Sequence, residues 1–102
     1  MSARKLELIL TSRTERDVSD ILLQTEAEWD FEQVSDYRKI LNQALAELLT
    51  FPHLGRSRSD ISPGLRSFPA GRHVIFYRVF RAEIVVKRII HARMELGRNE
   101  LA

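Results

Sequence analysis

The chain has no cysteine among its 102 residues. This excludes disulfides, thiolate metal centres and a cysteine nucleophile, so packing alone must hold the protein together. No stretch approaches the roughly 18 uncharged apolar residues of a membrane helix. Met1–Lys5 is not followed by an uncharged apolar run of signal-peptide length. No membrane is therefore expected, and the expected address is the cytoplasm. The three histidines, His53, His73 and His91, lie far apart with no HxxxH-type spacing, which argues against a metal site. A P-loop, GxGxxG, HExxH and GxSxG are all absent, and a chemical function has no strong signature. No cofactor and no metal are expected.

What is present suits one small folded domain, residues 1–102. Hydrophobic residues make up 44% and charged residues 29%, close to the averages for globular proteins and far from those of disordered chains. The net charge of +2 hides a division. Residues 1–51 hold six Lys/Arg against ten Asp/Glu, and residues 52–102 hold ten against four. The carboxy-terminal half is thus basic and suits an anionic partner, either an acidic protein segment or nucleic acid.

Periodicity gives the elements. "KLELIL", Lys5–Leu10, alternates as a strand with one buried face. Ser12-Arg13-Thr14-Glu15 has the form of a capping box, and Val18, Ile21, Leu22, Thr25 and Trp29 follow at helical spacing. Glu15, Asp17 and Asp20 read as favourable charges in that helix's first turns rather than as metal ligands. Asp30-Phe31-Glu32-Gln33 repeats the capping logic, with Trp29 and Val34 as a hydrophobic staple. Val34, Tyr37, Leu41, Leu45 and Leu48, flanked by Ile40, Ala44 and Leu49, then form an apolar stripe that Pro52 stops. "PHLGRSRSDISPG", residues 52–64, reads as an exposed loop. Three strand-like runs close the chain: Leu65–Phe68, Val74–Phe80 and Ile84–Ile90. Their short links permit only antiparallel hairpins. The expected fold is α+β, ordered β-α-α-β-β-β, with a helical hairpin packed on one face of a mostly antiparallel sheet.

Strand alternation predicts two faces. In the middle strand Val74, Phe76, Arg78 and Phe80 share one side, and His73, Ile75, Tyr77 and Val79 the other. In the last strand Ile84, Val86, Arg88 and Ile90 share one side, and Val85, Lys87, Ile89, His91 and Arg93 the other. Both faces are apolar over much of their length. The one turned from the helices, edged by Arg66, Arg72, Lys87 and Arg93, is expected to receive an amphipathic, acidic partner chain. The plainer reading makes these cations ordinary outward residues that keep an edge soluble. Tyr77, His73, His91 and Arg93 also have the side chains that RNA cleavage requires, a proton donor, an acceptor and cations for the phosphate, although no spacing demands it.

Several segments, in order, resemble one known family: Trp29 at the end of the first helix, "LGR" at Leu54–Arg56 after Phe51-Pro52, "PGLRSFPAGRH" at Pro63–His73, "IFYRV" at Ile75–Val79 and "HARM" at His91–Met94. From about Leu8 to Asn99 the chain resembles the ParE branch of the ParE/RelE toxin superfamily of bacterial type II toxin–antitoxin systems. The resemblance implies a toxin that inhibits DNA gyrase and is neutralised by a ParD-like antitoxin, whose carboxy-terminal segment folds on the toxin within a hetero-oligomer.

The same resemblance leaves a RelE-like, ribosome-dependent mRNA endoribonuclease as the alternative. It would use Arg66, Tyr77, His91 and Arg93. After Arg93 the chain reads "MELGRNELA", without the Tyr or His that RelE proteins usually carry near this terminus, and this favours ParE. The residues expected to contact antitoxin or target are Arg66, Arg72, His73, Lys87, His91, Arg93 and Met94.

Overall fold

A computed structural model describes residues 6–28, 31–94 and 96. The elements run β1 (Glu7–Leu10), α1 (Ser12–Glu28), α2 (Phe31–Thr50), β2 (Arg56–Ser57), β3 (Leu65–Ala70), β4 (His73–Val79) and β5 (Glu83–His91). The sheet order is β1-β5-β4-β3-β2, with β1 parallel to β5 and the other pairs antiparallel. This is the expected α+β architecture with one added strand, β2, inside the predicted loop. Trp29 and Asp30, on which the staple and the second capping box turn, lie outside the described residues.

The first helix starts one position away from the predicted cap. Thr11, not Ser12, is the N-cap: its hydroxyl accepts the Thr14 N–H at 3.1 Å and its carbonyl the Glu15 N–H at 2.9 Å. A β-region residue with a side-chain oxygen serves equally at either place, and Thr11 is the one whose hydroxyl also reaches β5. The α2 stripe behaves as its spacing dictates: Tyr37, Leu41, Ala44, Leu45 and Leu48 are buried, while Ile40 stays exposed. They pack on Ile75 and Tyr77 of β4 and on Ile84, Val86 and Ile89 of β5.

The last strand departs from strict alternation. Phe76 pairs with Arg88 but the adjacent Tyr77 pairs with Val86, so Lys87 is an extra residue in β5. Such a bulge shifts the phase of the strand. Ile84 and Val86 face the helices as one set, whereas Ile90, predicted to join them, lies in the cluster on the opposite face.

Beyond Val86 no strand flanks β5 on the β1 side among the described residues. The start of α1 takes that place. Thr14 donates to the Val86 carbonyl at 2.8 Å, Thr11 donates to the Lys87 carbonyl at 3.4 Å, and Asp17 accepts the Ile89 N–H at 3.1 Å. Asp17 also binds the Arg88 guanidinium through Nε at 2.7 Å and Nη2 at 3.2 Å. Both residues are buried. Asp17 is therefore the helix's tether to the sheet, a larger role than the first-turn charge the sequence suggests.

The second face is not left for a partner alone. Leu65, Phe76 and Ile90 are buried there beneath Leu96 and Ile61. Ile61 is held by a compact turn in which Arg58 and Leu65 exchange a 2.7 Å bond, Arg58 N–H to Leu65 C=O, and the Leu65 N–H donates to Ser62. Arg58 also stacks over Phe76, 5.7 Å from the ring centre. The chain itself thus covers much of the surface expected to await another protein. On β3, β2 pairs only with Arg66 and Ser67, leaving Pro69 on open edge.

Removing one member of a buried ion pair strands the other charge and costs about 3–5 kcal/mol. Asp17→Ala is expected to lose stability of that size in urea denaturation, and Asp17→Asn, which keeps an acceptor for Ile89, is expected to lose less. Equal stability of both variants with the parent would show that the tether contributes nothing.

Candidate functional site

The β3–β4 hairpin brings most of the predicted residues to one end of the sheet. Its loop is two residues, Gly71-Arg72, with Gly71 at φ +60°. A positive φ at the first loop position matches the twist of the flanking strands. Glycine is needed for space as well, since a Cβ there would sit 2.9 Å from Tyr37 Cε1 and Oη. The close approach lets the Tyr37 hydroxyl, on α2, accept the Arg72 N–H at 2.9 Å and bond to His73 Nδ1.

His73 pairs across the ladder with His91, and their rings meet edge to face at 5.5 Å. The Arg93 N–H donates to His91 Nδ1 at 3.1 Å, and the Ala92 N–H donates to the Arg72 carbonyl at 2.9 Å. The end of β5 is thereby stitched to the hairpin. Arg72, Arg93 and Met94 remain exposed around this corner. Behind it lies a cavity of about 140 Å³ between α1, α2 and the turn, lined by Arg72, His73, His91 and Tyr37 with Ile21, Gln24 and Thr25 of α1.

The electrostatics follow from the packing. Burial lowers the His73 pKa below its ordinary 6.5, and the charges of His91 and Arg72 add to the effect. Burial raises the Tyr37 pKa against the opposing pull of the Arg72 N–H and charge. Both groups are neutral at pH 7.

The remaining predicted residues lie elsewhere. Lys87 is the half-buried extra residue of the bulge. Arg66 and Tyr77 face each other across β3 and β4 at the far end of the sheet. The Tyr77 hydroxyl donates to the Pro52 carbonyl at 2.8 Å and accepts the Gly55 N–H at 2.9 Å, while Arg66 donates to the Gly55 carbonyl at 2.7 Å. Tyr77 is fully buried, and burial raises its pKa. This pair clamps the α2–β2 connection. Four steps of extended chain take Tyr77 about 14 Å from His73, so Arg66 and Tyr77 do not join His91 and Arg93 in one constellation.

The sequence reading treated Tyr37 as core only. A tyrosine in a buried stripe nevertheless needs a partner for its hydroxyl, and that requirement was the available signal. Among the described residues no group of three or more His, Cys, Asp or Glu is placed to hold a metal ion.

A helical hairpin on this sheet defines a class. A solved structure described as "Chromosomal ParDE TA system from P. aeruginosa" shares the fold with a TM-score of 0.75 at 19% identity, covering 87% of this chain and 98% of that one. The chain is an α+β protein that shares the fold of that structure. A model of the "ParE toxin of type II toxin-antitoxin system, parDE" matches residues 8–96. "Toxin ParE1" of Mycobacterium tuberculosis (strain ATCC 25618 / H37Rv) is 34% identical over 100 residues, covering 97% of this chain and 99% of the relative. "Toxin ParE1" of Caulobacter vibrioides is 34% identical over 93 residues, covering 86% and 95%. The chain belongs to the ParE toxin family of type II toxin–antitoxin systems.

Because the Tyr77 hydroxyl satisfies two backbone groups, Tyr77→Phe leaves both short of a partner, at a cost of about 1–3 kcal/mol. Gly55→Ala is expected to be worse, since its Cβ would lie 2.5 Å from that hydroxyl and 2.8 Å from the Ser67 carbonyl. Thermal denaturation checks both, and an unchanged midpoint in Tyr77→Phe would remove the clamp from the account.

Proposed function

We propose that this ParE-family chain inhibits DNA gyrase by binding it, without chemistry of its own, and is neutralised by a ParD-like antitoxin in a hetero-oligomer in the cytoplasm. The observation that carries this reading is the exposed basic corner, where Arg72, Arg93 and Met94 surround His91 at the hairpin turn. It lies in the basic half of the chain and gives an acidic partner segment or a DNA-bound target opposite charge with some apolar contact. The antitoxin partner is supported by family membership and by the ParDE description of the P. aeruginosa structure. The endoribonuclease alternative has less support, because its four candidate residues divide between the two ends of the sheet, with Tyr77 closed off from solvent.

Purified protein is expected to block supercoiling of relaxed plasmid by gyrase with ATP, accumulating linear DNA, and added antitoxin is expected to restore the reaction. Arg93→Glu is expected to abolish growth arrest with the fold unchanged by circular dichroism, because that side chain is exposed and only its backbone N–H bonds to His91. A folded Arg93→Glu protein that still arrests growth would refute the assignment of this corner. Inert gyrase assays with codon-phased mRNA cuts would transfer the reading to the endoribonuclease.

A further inference from the structure

Two residues of the basic corner, Arg72 and His91, also line the cavity behind it. Hydrogen bonding settles the tautomer of one of its two histidines. His91 Nδ1 accepts the Arg93 N–H, so the neutral ring carries its proton on Nε2. The Tyr37 hydroxyl accepts the Arg72 N–H, donates to the Ala70 carbonyl at 3.4 Å and bonds to His73 Nδ1, which holds the His73 ring in place at the cavity wall. Two imidazoles, Arg72 and Gln24 line one cavity, and among the described residues lining it there is no carboxylate. Asp36 of α2 lines a neighbouring groove with Arg72.

We propose that this cavity is an oxyanion-binding site, taking a single phosphate or carboxylate group between Arg72 and the two imidazoles. Its volume of about 140 Å³ has room for such a group. The charge balance points the same way. Burial and the Arg72 charge beside it keep His73 neutral, and an anion offsets that repulsion. The described groups that α1 turns to the cavity, Ile21, Gln24 and Thr25, carry no charge, and α2 supplies Tyr37. Beyond the cavity stands Arg93. Anion binding therefore favours protonation of His73.

The site stands on the geometry of the cavity. Only the source of the oxyanion, a free ion or a carboxylate on the antitoxin, rests on the toxin reading. The test is a titration of the isolated full chain with inorganic phosphate, followed by NMR of the imidazole nitrogens at ionic strength held constant with chloride. Saturable shifts at His73 and His91 are expected, together with a rise in the His73 titration midpoint. Arg72→Ala is expected to lose the response, and Arg81→Ala, exposed in the β4–β5 turn, to keep it. No response, an equal response to chloride alone, or an undiminished response in Arg72→Ala overturns the site.

The co-purified toxin–antitoxin complex separates the two sources. A raised His73 titration midpoint without added phosphate identifies a partner carboxylate, and continued phosphate response identifies a free ion. Failure to obtain any complex counts against the antitoxin reading and leaves the phosphate result standing.

Discussion

The ion pair between Asp17 and Arg88 is the interaction on which the rest of the molecule depends. It joins α1 to β5 at the point where β5 carries an extra residue and has run past the end of β1. Two buried charges repay their desolvation only with good geometry and full hydrogen bonding. Here one carboxylate accepts from two guanidinium nitrogens and from the Ile89 amide, with Arg13 a further 3.8 Å neighbour. Thr11 and Thr14 satisfy the Val86 and Lys87 carbonyls on the same edge. The helix thus substitutes for a strand, and the bulge it secures decides which residues of β5 face the helices.

The candidate site inherits that decision. His91 faces His73 because the register beyond the bulge places them opposite one another. An unbulged β5 would turn His91 to the other face, and the cavity would lose one of its two imidazoles. At the opposite end of the sheet Arg66 and Tyr77 are occupied with the α2–β2 connection. The sheet therefore has one end committed to holding the chain together and one end whose cations remain open to solvent. That asymmetry leaves the hairpin end of the sheet as its exposed, basic end.

The helices were legible because a period of three to four residues is hard to produce by chance, as the Tyr37-to-Leu48 stripe demonstrates. The β3–β4 turn was legible for a similar reason, with glycine placed between two apolar runs. The bulge was not, because β5 reads "EIVVKRIIH", apolar on both sides of the strand, so a shift in phase leaves no trace. Two-residue β2 is too short to show any period. Asp17 resembled every other acid near a helix start, and its partner lies 71 residues away. Thr11 and Ser12 offer the same cap chemistry side by side. At the site, Arg72, His73, His91, Arg93 and Met94 were all named from the sequence, while Tyr37 and the α1 wall that turn them into a cavity required the tertiary fold.

Pro69 sits where β2 has ended and β3 is an edge strand. Its ring nitrogen has no hydrogen to offer. Of the other residues sharing its orientation on β3, Leu65 is bonded to the turn at Arg58 and Ser62, and Ser67 pairs with Arg56. A foreign strand approaching this border therefore meets no free backbone donor at any of the three positions. The border resists templated growth into fibres.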